Sequence, residues 1–485
     1  MLRAFLKDGL AYGLAGILAR SVSLLLVPLY TRVLAPADYG TLDLLVVLAS
    51  LVNLTVALEI SQAVVRLYPD APTPDDRVEL ASTALFFTLG AYALFAAVAA
   101  VGAAPLGGVL LDAPERASLI RLAVASIWAG GILYFAQAQL RTELKARGYA
   151  VVSLVVAGVT IAVSVVLVLW LRWGVAGVLW AQLAGNLAGA ALALHSTRSS
   201  FALRFDGAKL RAMLAFSAPL VPSGIAVFVA LYVDRIVIKE MMTLHDVGLF
   251  GVGYRLASLA SLLVLGFQAA LTPLVYTHYR EPDTPRQIAR LFRWFLALGI
   301  GVVAVLSLFA PELLRVFAAP EYASAARVVP LLAPAVVASG MYVFAPGLAL
   351  AKRTGSIALV TTLGAVLNTV LNLLLVPRLG IAGAAASTLV SALCVFAAYM
   401  ASSQRHYPVP HPWGRLGVAT LGSAAVLALG ARLSLDTLPA LAARSGLLVG
   451  LVLLLLGTGL VEPREIRQGA ALARARLRPA PPDPV

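Results

Sequence analysis

Across 485 residues the chain carries one cysteine, Cys394, and only 12% charged side chains. A single cysteine excludes an internal disulfide. Five histidines, at positions 195, 245, 278, 406 and 411, are scattered without metal-ligand spacing, so no metal centre is expected. No G-x-x-x-x-G-K-[ST] motif occurs, which excludes ATP hydrolysis by a P-loop. The longest expected loops are roughly a dozen residues, at 67–79, 104–116 and 198–211, too short for an extramembrane domain. Asp112 and Glu115 form the one notable acidic pair in an outer loop, and a solvated turn accounts for them. No residues are expected to be catalytic, and no cofactor is expected.

What the chain has instead is apolar side chains, 61% of the total, with a mean hydropathy of +0.92. A soluble domain cannot hide that much apolar surface, so the solvent over most of the length is lipid. The net charge of +14 would suggest nucleic acid in a soluble protein. Here the basic residues sit at the ends of apolar runs, where topology explains them, and no nucleic-acid partner is expected. The reading is an all-α polytopic membrane protein of about fourteen spans. They cover 9–31, 41–66, 80–103, 117–140, 149–171, 174–197, 212–236, 247–276, 288–310, 325–350, 356–376, 381–403, 413–433 and 443–461. Each is near the roughly 20 residues that cross a bilayer. The first run contains Arg20 and lacks a convincing cleavage site, so it reads as a retained helix and not a signal peptide.

The chain also repeats itself. Arg172-Trp173-Gly174-Val175-Ala176-Gly177 returns as Arg378-Leu379-Gly380-Ile381-Ala382-Gly383, an offset of 206. Lys145-Ala146-Arg147-Gly148 returns as Lys352-Arg353-Thr354-Gly355, with Arg147 and Arg353 at the same offset. Asp38-Tyr39-Gly40 is echoed by Asp246-Val247-Gly248 at 208. Six spans per repeat is an even number, so both halves insert in the same orientation. The expectation is two six-helix lobes, 1–200 and 201–405, related by a pseudo-two-fold along the membrane normal. Spans 13–14 (406–462) and a basic, Pro-rich cytoplasmic tail (463–485) follow. With both termini in the cytoplasm, 24 Lys/Arg fall in cytoplasmic segments and nine in outer loops, which supports that orientation. Arg474, Arg476 and Arg478 of the tail are placed to meet anionic headgroups, or to sit in a solvated tail.

Ionisable groups inside a bilayer are costly and usually face a cavity or a partner. Span 1 carries Arg20 and Ser23. Span 2 carries Thr55, Glu59, Gln62 and Arg66 at i, i+4, i+7 and i+11, one stripe of an unbroken helix. Span 4 ends with Tyr134, Gln137 and Arg141. Span 7 brings Ser223 and, near its outer end, Asp234-Arg235. Span 8 has Arg255, Ser258 and Gln268, and span 11 has Asn368 and Asn372 one turn apart. A water-filled cleft between the halves would solvate these groups. Its cations would match a phosphate-bearing ligand. Glu59 and Asp234 are candidates for pairing with the arginines or for binding a coupling H⁺ or Na⁺. Structural readings stand beside these: an Arg20–Glu59 ion pair that fixes packing, amides that bond between helices, and snorkelling for Arg66 and Asp234-Arg235 near the interfaces. Gly185 and Gly189 form a GxxxG that reads as close helix packing.

The stretch Leu24-Leu25-Leu26-Val27-Pro28-Leu29-Tyr30-Thr31-Arg32-Val33-Leu34-Ala35-Pro36-Ala37-Asp38-Tyr39-Gly40 resembles the opening of bacterial polysaccharide-biosynthesis flippases. So does Ala63-Val64-Val65-Arg66-Leu67-Tyr68, which closes span 2. These are O-antigen-type oligosaccharide exporters of the multidrug/oligosaccharidyl-lipid/polysaccharide superfamily, and the Gly-Ile-Ala-Gly at 380–383 also looks like them. The resemblance implies a cytoplasmic-membrane flippase with two lobes around a cationic cavity. It implies alternating access and an undecaprenyl-diphosphate-linked oligosaccharide as substrate, with membrane lipids as surroundings. Arg20, Arg255 and Arg66 would hold the diphosphate. Glu59, Gln62, Gln137 and Asn368, with Asn372 beside it, would meet sugar or coupling ion. A lipid II flippase is the nearest alternative, although that branch tends to carry more than one arginine in span 1. A drug/cation antiporter of the superfamily would need an acidic, aromatic cavity and usually twelve helices.

Overall fold

A computed structural model describes residues 26–431 and 438–460. All of span 1 before Leu26, including Arg20 and Ser23, lies outside the described residues, as does the tail at 463–485. Thirteen helical segments among the described residues, some joining neighbouring helices, are long and apolar enough to cross a membrane, and they coincide with expected spans 2–14. Among the described residues there is no strand.

In chain order the helices are α1 (Pro36–Thr55), α2 (Ile60–Leu67), α3 (Pro74–Val101), α4 (Ala103–Leu111), α5 (Ala117–Thr142), α6 (Ala146–Ser164), α7 (Gly174–Ser196), α8 (Gly207–Ser217), α9 (Val221–Met241), α10 (Leu244–Ala257), α11 (Ser261–His278), α12 (Thr284–Leu308), α13 (Ala310–Phe317), α14 (Val329–Gly340), α15 (Gly347–Leu350), α16 (Thr354–Leu379), α17 (Ile381–Gln404), α18 (Trp413–Ala431) and α19 (Leu438–Gly457). Local chemistry sets several boundaries. The Thr73 hydroxyl accepts from the Asp76 N–H at 3.1 Å, and Pro74 follows it to start α3. Asp206 accepts from the N–H groups of Ala208 and Lys209 to start α8. The helices differ from lipid-free ones in where their apolar residues point. Leu94, Val98 and Val101 of α3 are 64–87% exposed, which suits a hydrocarbon solvent.

The two Arg-x-Gly signals are tight turns. Gly174 and Gly380 both hold a left-handed backbone, φ +57° and +61°, which glycine adopts without a Cβ penalty. The basic signals upstream are turns as well. Leu144 and Lys352 both have positive φ, and each turn closes with the same bond, Lys145 N–H to Leu140 C=O and Arg353 N–H to Leu348 C=O, both 2.9 Å. The glycine turns therefore recur at the offset of 206, while the upstream turns correspond at 208, the offset of the Asp-x-Gly echo. The GxxxG also acts as expected. A Cβ on Gly185 would strike the Thr160 hydroxyl of α6, and one on Gly189 would strike Val156.

Two expectations need correction. Span 2 is not one helix. It breaks after Thr55, and Leu58 and Glu59 both take left-handed φ, 47° and 55°, before α2 resumes at Ile60. Thr55, Glu59, Gln62 and Arg66 therefore do not form a continuous stripe, because the break rotates one half against the other. The 104–116 stretch is not a loop. It forms α4 and a short 3₁₀ turn at Pro114–Arg116, because Leu106, Leu110 and Leu111 give it enough apolar surface to pack.

The described chain forms two compact units. One comprises residues up to Arg255 with 314–325 and 361–391, and the other comprises 256–313, 326–360 and 392 onward. In the first unit α2, α3, α5 and α8 share a core of Ile60, Ala63, Val64, Ala84, Tyr92, Phe135 and Met213. In the second, Phe267, Phe292, Phe295 and Phe344 pack ring against ring at 4.9–6.1 Å. His411 adds its ring at 4.8 Å from Phe292 and 5.0 Å from Trp413.

Candidate functional site

Four charged side chains of the first unit, Asp43, Asp234, Arg235 and Arg255, gather around α9. Asp234 and Arg235 are adjacent, so they project about 100° apart and serve two different neighbours. Arg235 turns to α1, where its Nε lies 3.3 Å from Asp43 Oδ2. Its Nη1 donates to the Leu231 carbonyl at 3.0 Å. Its guanidinium lies over three rings, Tyr254 at 4.3 Å, Phe250 at 5.2 Å and Tyr232 at 5.8 Å. Arg255, from the end of α10, approaches the other carboxylate oxygen of Asp43 at 3.7 Å and covers the Tyr39 ring at 5.2 Å. Gly251 makes room for that carboxylate, since a Cβ there would sit 2.9 Å from Asp43 Oδ2.

The result is an Arg–Asp–Arg cluster inside an apolar bundle. Its members are not equally accessible. The Arg235 side chain is 5% exposed and that of Asp43 9%, whereas Arg255 keeps 25%. Arg255 is partly exposed, whereas Arg235 could leave its carboxylate only at a large desolvation cost.

Asp234 turns the other way and is 2% exposed. Its Oδ1 accepts from Asn372 Nδ2 at 2.7 Å and its Oδ2 from the Thr388 hydroxyl at 2.9 Å. Asn372 Nδ2 also lies 2.8 Å from Asn368 Oδ1 and 3.0 Å from the Asn368 carbonyl. Three acceptors thus crowd a nitrogen that has two hydrogens. The Oδ1 of Asn372 is buried and has no partner among the described residues. Among the described residues no three His, Cys, Asp or Glu side chains come together as a metal site would need.

A reciprocal backbone contact lies one turn from Asp43. A Cβ on Gly40 would land on the Leu244 carbonyl oxygen, and a Cβ on Gly248 would land on that of Pro36. These are the two Asp-x-Gly echoes of the sequence, and here α1 and α10 touch backbone to backbone. Tyr39 sits edge-on against Tyr322 at 5.9 Å, and the Tyr322 hydroxyl donates to the Leu34 carbonyl at 2.8 Å.

Residues 5–277 match the family described as polysaccharide biosynthesis protein, more than half of the chain. The chain belongs to this family. The likeness in fold extends well beyond that segment. A structure of the lipid II flippase MurJ, in an inward closed conformation, aligns over 91% of this chain and 97% of its own, at 13% identity and a TM-score of 0.71. An inward-facing multidrug-resistance MATE transporter of the MOP superfamily aligns over 80% and 94%, at 16% identity and 0.65. A Vibrio cholerae MATE transporter aligns over 83% and 94%, at 17% and 0.52. At these identities the likeness is one of fold, and the fold is that of multi-pass membrane transporters. No match was found among curated proteins.

Within this family member the expected residues fall into separate groups. Arg255, Asp234, Asn368 and Asn372 gather around α9, the last three in direct contact. Asp234 and Arg235 do not snorkel, since both are buried and bonded. Arg66 pairs with Asp70 one turn on and, with Gln62, rims a separate pocket of about 430 Å³ beside Phe216 and Leu220. Glu59 stands at the helix break, and Gln137 lines a cavity in the first unit. Gln268 donates to the Gly340 carbonyl at 3.4 Å in the second unit, the helix-to-helix bond that amides were expected to make. Asp43 went unremarked in the sequence because it sits among apolar residues near the start of a span, where a helix-end carboxylate is ordinary. Its spacing from Tyr39, one helical turn, was the available signal.

Proposed function

We propose that the chain flips an undecaprenyl-diphosphate-linked oligosaccharide from the inner to the outer leaflet of the cytoplasmic membrane, for surface polysaccharide synthesis, by alternating access between its two repeats. The observation that carries this reading is Arg255, whose side chain keeps 25% exposure while its guanidinium is held by Asp43 inside an apolar bundle, in a chain of the polysaccharide biosynthesis family. A cation costs roughly 2.5–3.5 kcal/mol at mid-membrane on insertion scales, so it persists where it serves. A diphosphate offers the charge-assisted, bidentate partner that would draw Arg255 from Asp43. Arg20, and Arg66 at its own pocket, are the further candidates for phosphate. Glu59, Gln62, Gln137 and Asn368 are those for sugar or ion. The prenyl tail stays in lipid.

Asp234 is the candidate for coupling. Turning the Asn372 amide over would pair its lone Oδ1 with oxygens only, and that arrangement needs a proton or Na⁺ among them. Binding there would change the charge beside Arg235, and through Asp43 the grip on Arg255. The test is Arg255→Ala and Arg20→Ala, each in cells that depend on this chain for surface glycan. Both should abolish export at unchanged membrane abundance, and normal glycan in either variant removes that arginine's role.

A further inference from the structure

The first unit encloses a second feature, which the charge cluster does not use. A cavity of about 300 Å³ lies among α1, α5 and α7. That volume is at the small end of ligand sites, room for a single ring and not a long chain. Its polar lining consists of Asn53, Ser126, Tyr134, Gln137, Gln182 and Asn186, and no Lys, Arg, His, Asp or Glu is among its lining residues. Among the described residues much of that hydrogen-bonding capacity is unused. Asn53 Oδ1 accepts from the Tyr92 hydroxyl at 2.7 Å, which leaves its amide donors. Asn186 Nδ2 donates to the Ser126 carbonyl at 3.1 Å, which leaves its oxygen. The amides of Gln137 and Gln182 bond to no other described residue. Tyr134 is 38% exposed although it stands on a span helix. Leu42, Leu45 and Ala49 of α1 complete an apolar wall.

Neutral donors and acceptors opposite an apolar wall match the two faces of a sugar ring, hydroxyl or acetamido groups on one side and C–H on the other. Four amides present both donor and acceptor, so they suit groups that are themselves both. The lack of charge excludes as much as it admits. A uronic acid would bury a carboxylate against a lining without a cation, and an organic cation would meet no lining carboxylate, with Glu59 and Arg141 acting on Tyr134 only from outside the lining. Position matters too. Leu42 lines the cavity and Asp43, the partner of Arg255, is the next residue on α1, so cavity and arginine flank one helical turn. On the flippase reading above, which this inference needs for its substrate, we infer that the cavity is a saccharide subsite. It takes the uncharged sugar nearest the diphosphate, through Gln137, Gln182 and Asn186.

The test is equilibrium binding to the full chain in nanodiscs with three probes: farnesyl diphosphate, farnesyl-diphosphate-N-acetylglucosamine and farnesyl-diphosphate-glucuronic acid. The N-acetylglucosamine probe should bind about tenfold more tightly than farnesyl diphosphate, the worth of one or two neutral hydrogen bonds. The glucuronic acid probe should show no gain. The Gln137→Leu/Gln182→Leu double variant should erase the gain, and Ala49→Phe, which fills the cavity from an apolar wall, should do the same. Both should leave farnesyl diphosphate binding as it was. A neutral sugar that adds nothing, or a gain that survives both variants, overturns the subsite and leaves the cavity to water. Failure of the flippase reading would look different: farnesyl diphosphate itself would not bind, or would bind equally to Arg255→Ala.

Discussion

Asp43 holds two arginines, and that makes it the residue whose loss should cost most. Removing one partner of a buried ion pair leaves an uncompensated charge, at about 3–5 kcal/mol. Asp43→Asn is therefore expected to lower the melting temperature in detergent, and adding Arg235→Met should recover most of the loss. A double variant as unstable as the single one would mean that the cluster contributes through packing alone. His411 offers a pH test outside the spans. Burial among Phe292 and Trp413 lowers its pKa to about 4, against the ordinary value of about 6.5, and neither ring nitrogen has a partner among the described residues. The folded state thus binds the proton less well than the unfolded one. Its stability is full above about pH 6.5 and falls as the pH drops towards 4. His411→Phe should flatten the thermal stability profile across that window, and an unchanged slope would place the titration elsewhere. At this scale sequence showed that Arg255 and Asp234 sit in spans, but not which partners they meet. Asp43 and Arg235 are 192 positions apart, and only helix packing brings them to 3.3 Å.

Among the elements, the crossing of α1 and α10 makes the sharpest demand. Gly40 and Gly248 each face a carbonyl oxygen where a side chain would go. This backbone contact therefore requires hydrogen at both positions. Gly248→Leu should hold the contact apart and cut glycan export by at least tenfold. Spin labels at Ala35 and His245, both exposed, in a Cys394→Ser background should report longer distances than in the parent. Unchanged distances with full export would show that the contact does not separate during transport. The repeated Asp-x-Gly was visible in the sequence, but its meaning was not, because the echo gives no sign that the two copies touch. The break at Leu58 and Glu59 was invisible for another reason. Neither residue is Gly or Pro, and left-handed backbone at such positions is set by tertiary packing.

For the whole molecule, the distribution of arginine and lysine makes a claim that needs no side-chain contact. A fluorescent protein fused after Val485 should fold and fluoresce in the cytoplasm, and alkaline phosphatase there should stay inactive. The reverse pattern would invert the topology and place the α1–α10 crossing on the inner side. Thirteen spans and the turns at Gly174 and Gly380 agree with what hydropathy and the 206-residue offset imply, because lipid leaves the backbone few alternatives to the helix.

The amino-acid sequence alone determined that this is a polytopic helical membrane protein with two glycine turns 206 residues apart. It did so because a bilayer reads composition and length directly, and a tight turn reads glycine. Tertiary structure alone decided that Arg255 is tethered to a carboxylate on a distant helix. It also decided that Asp234 belongs to Asn372 and Thr388 while its neighbour Arg235 belongs to Asp43, and that four neutral amides surround one cavity. Those outcomes depend on which helix faces meet, and contacts between residues far apart in the chain leave no periodicity in it.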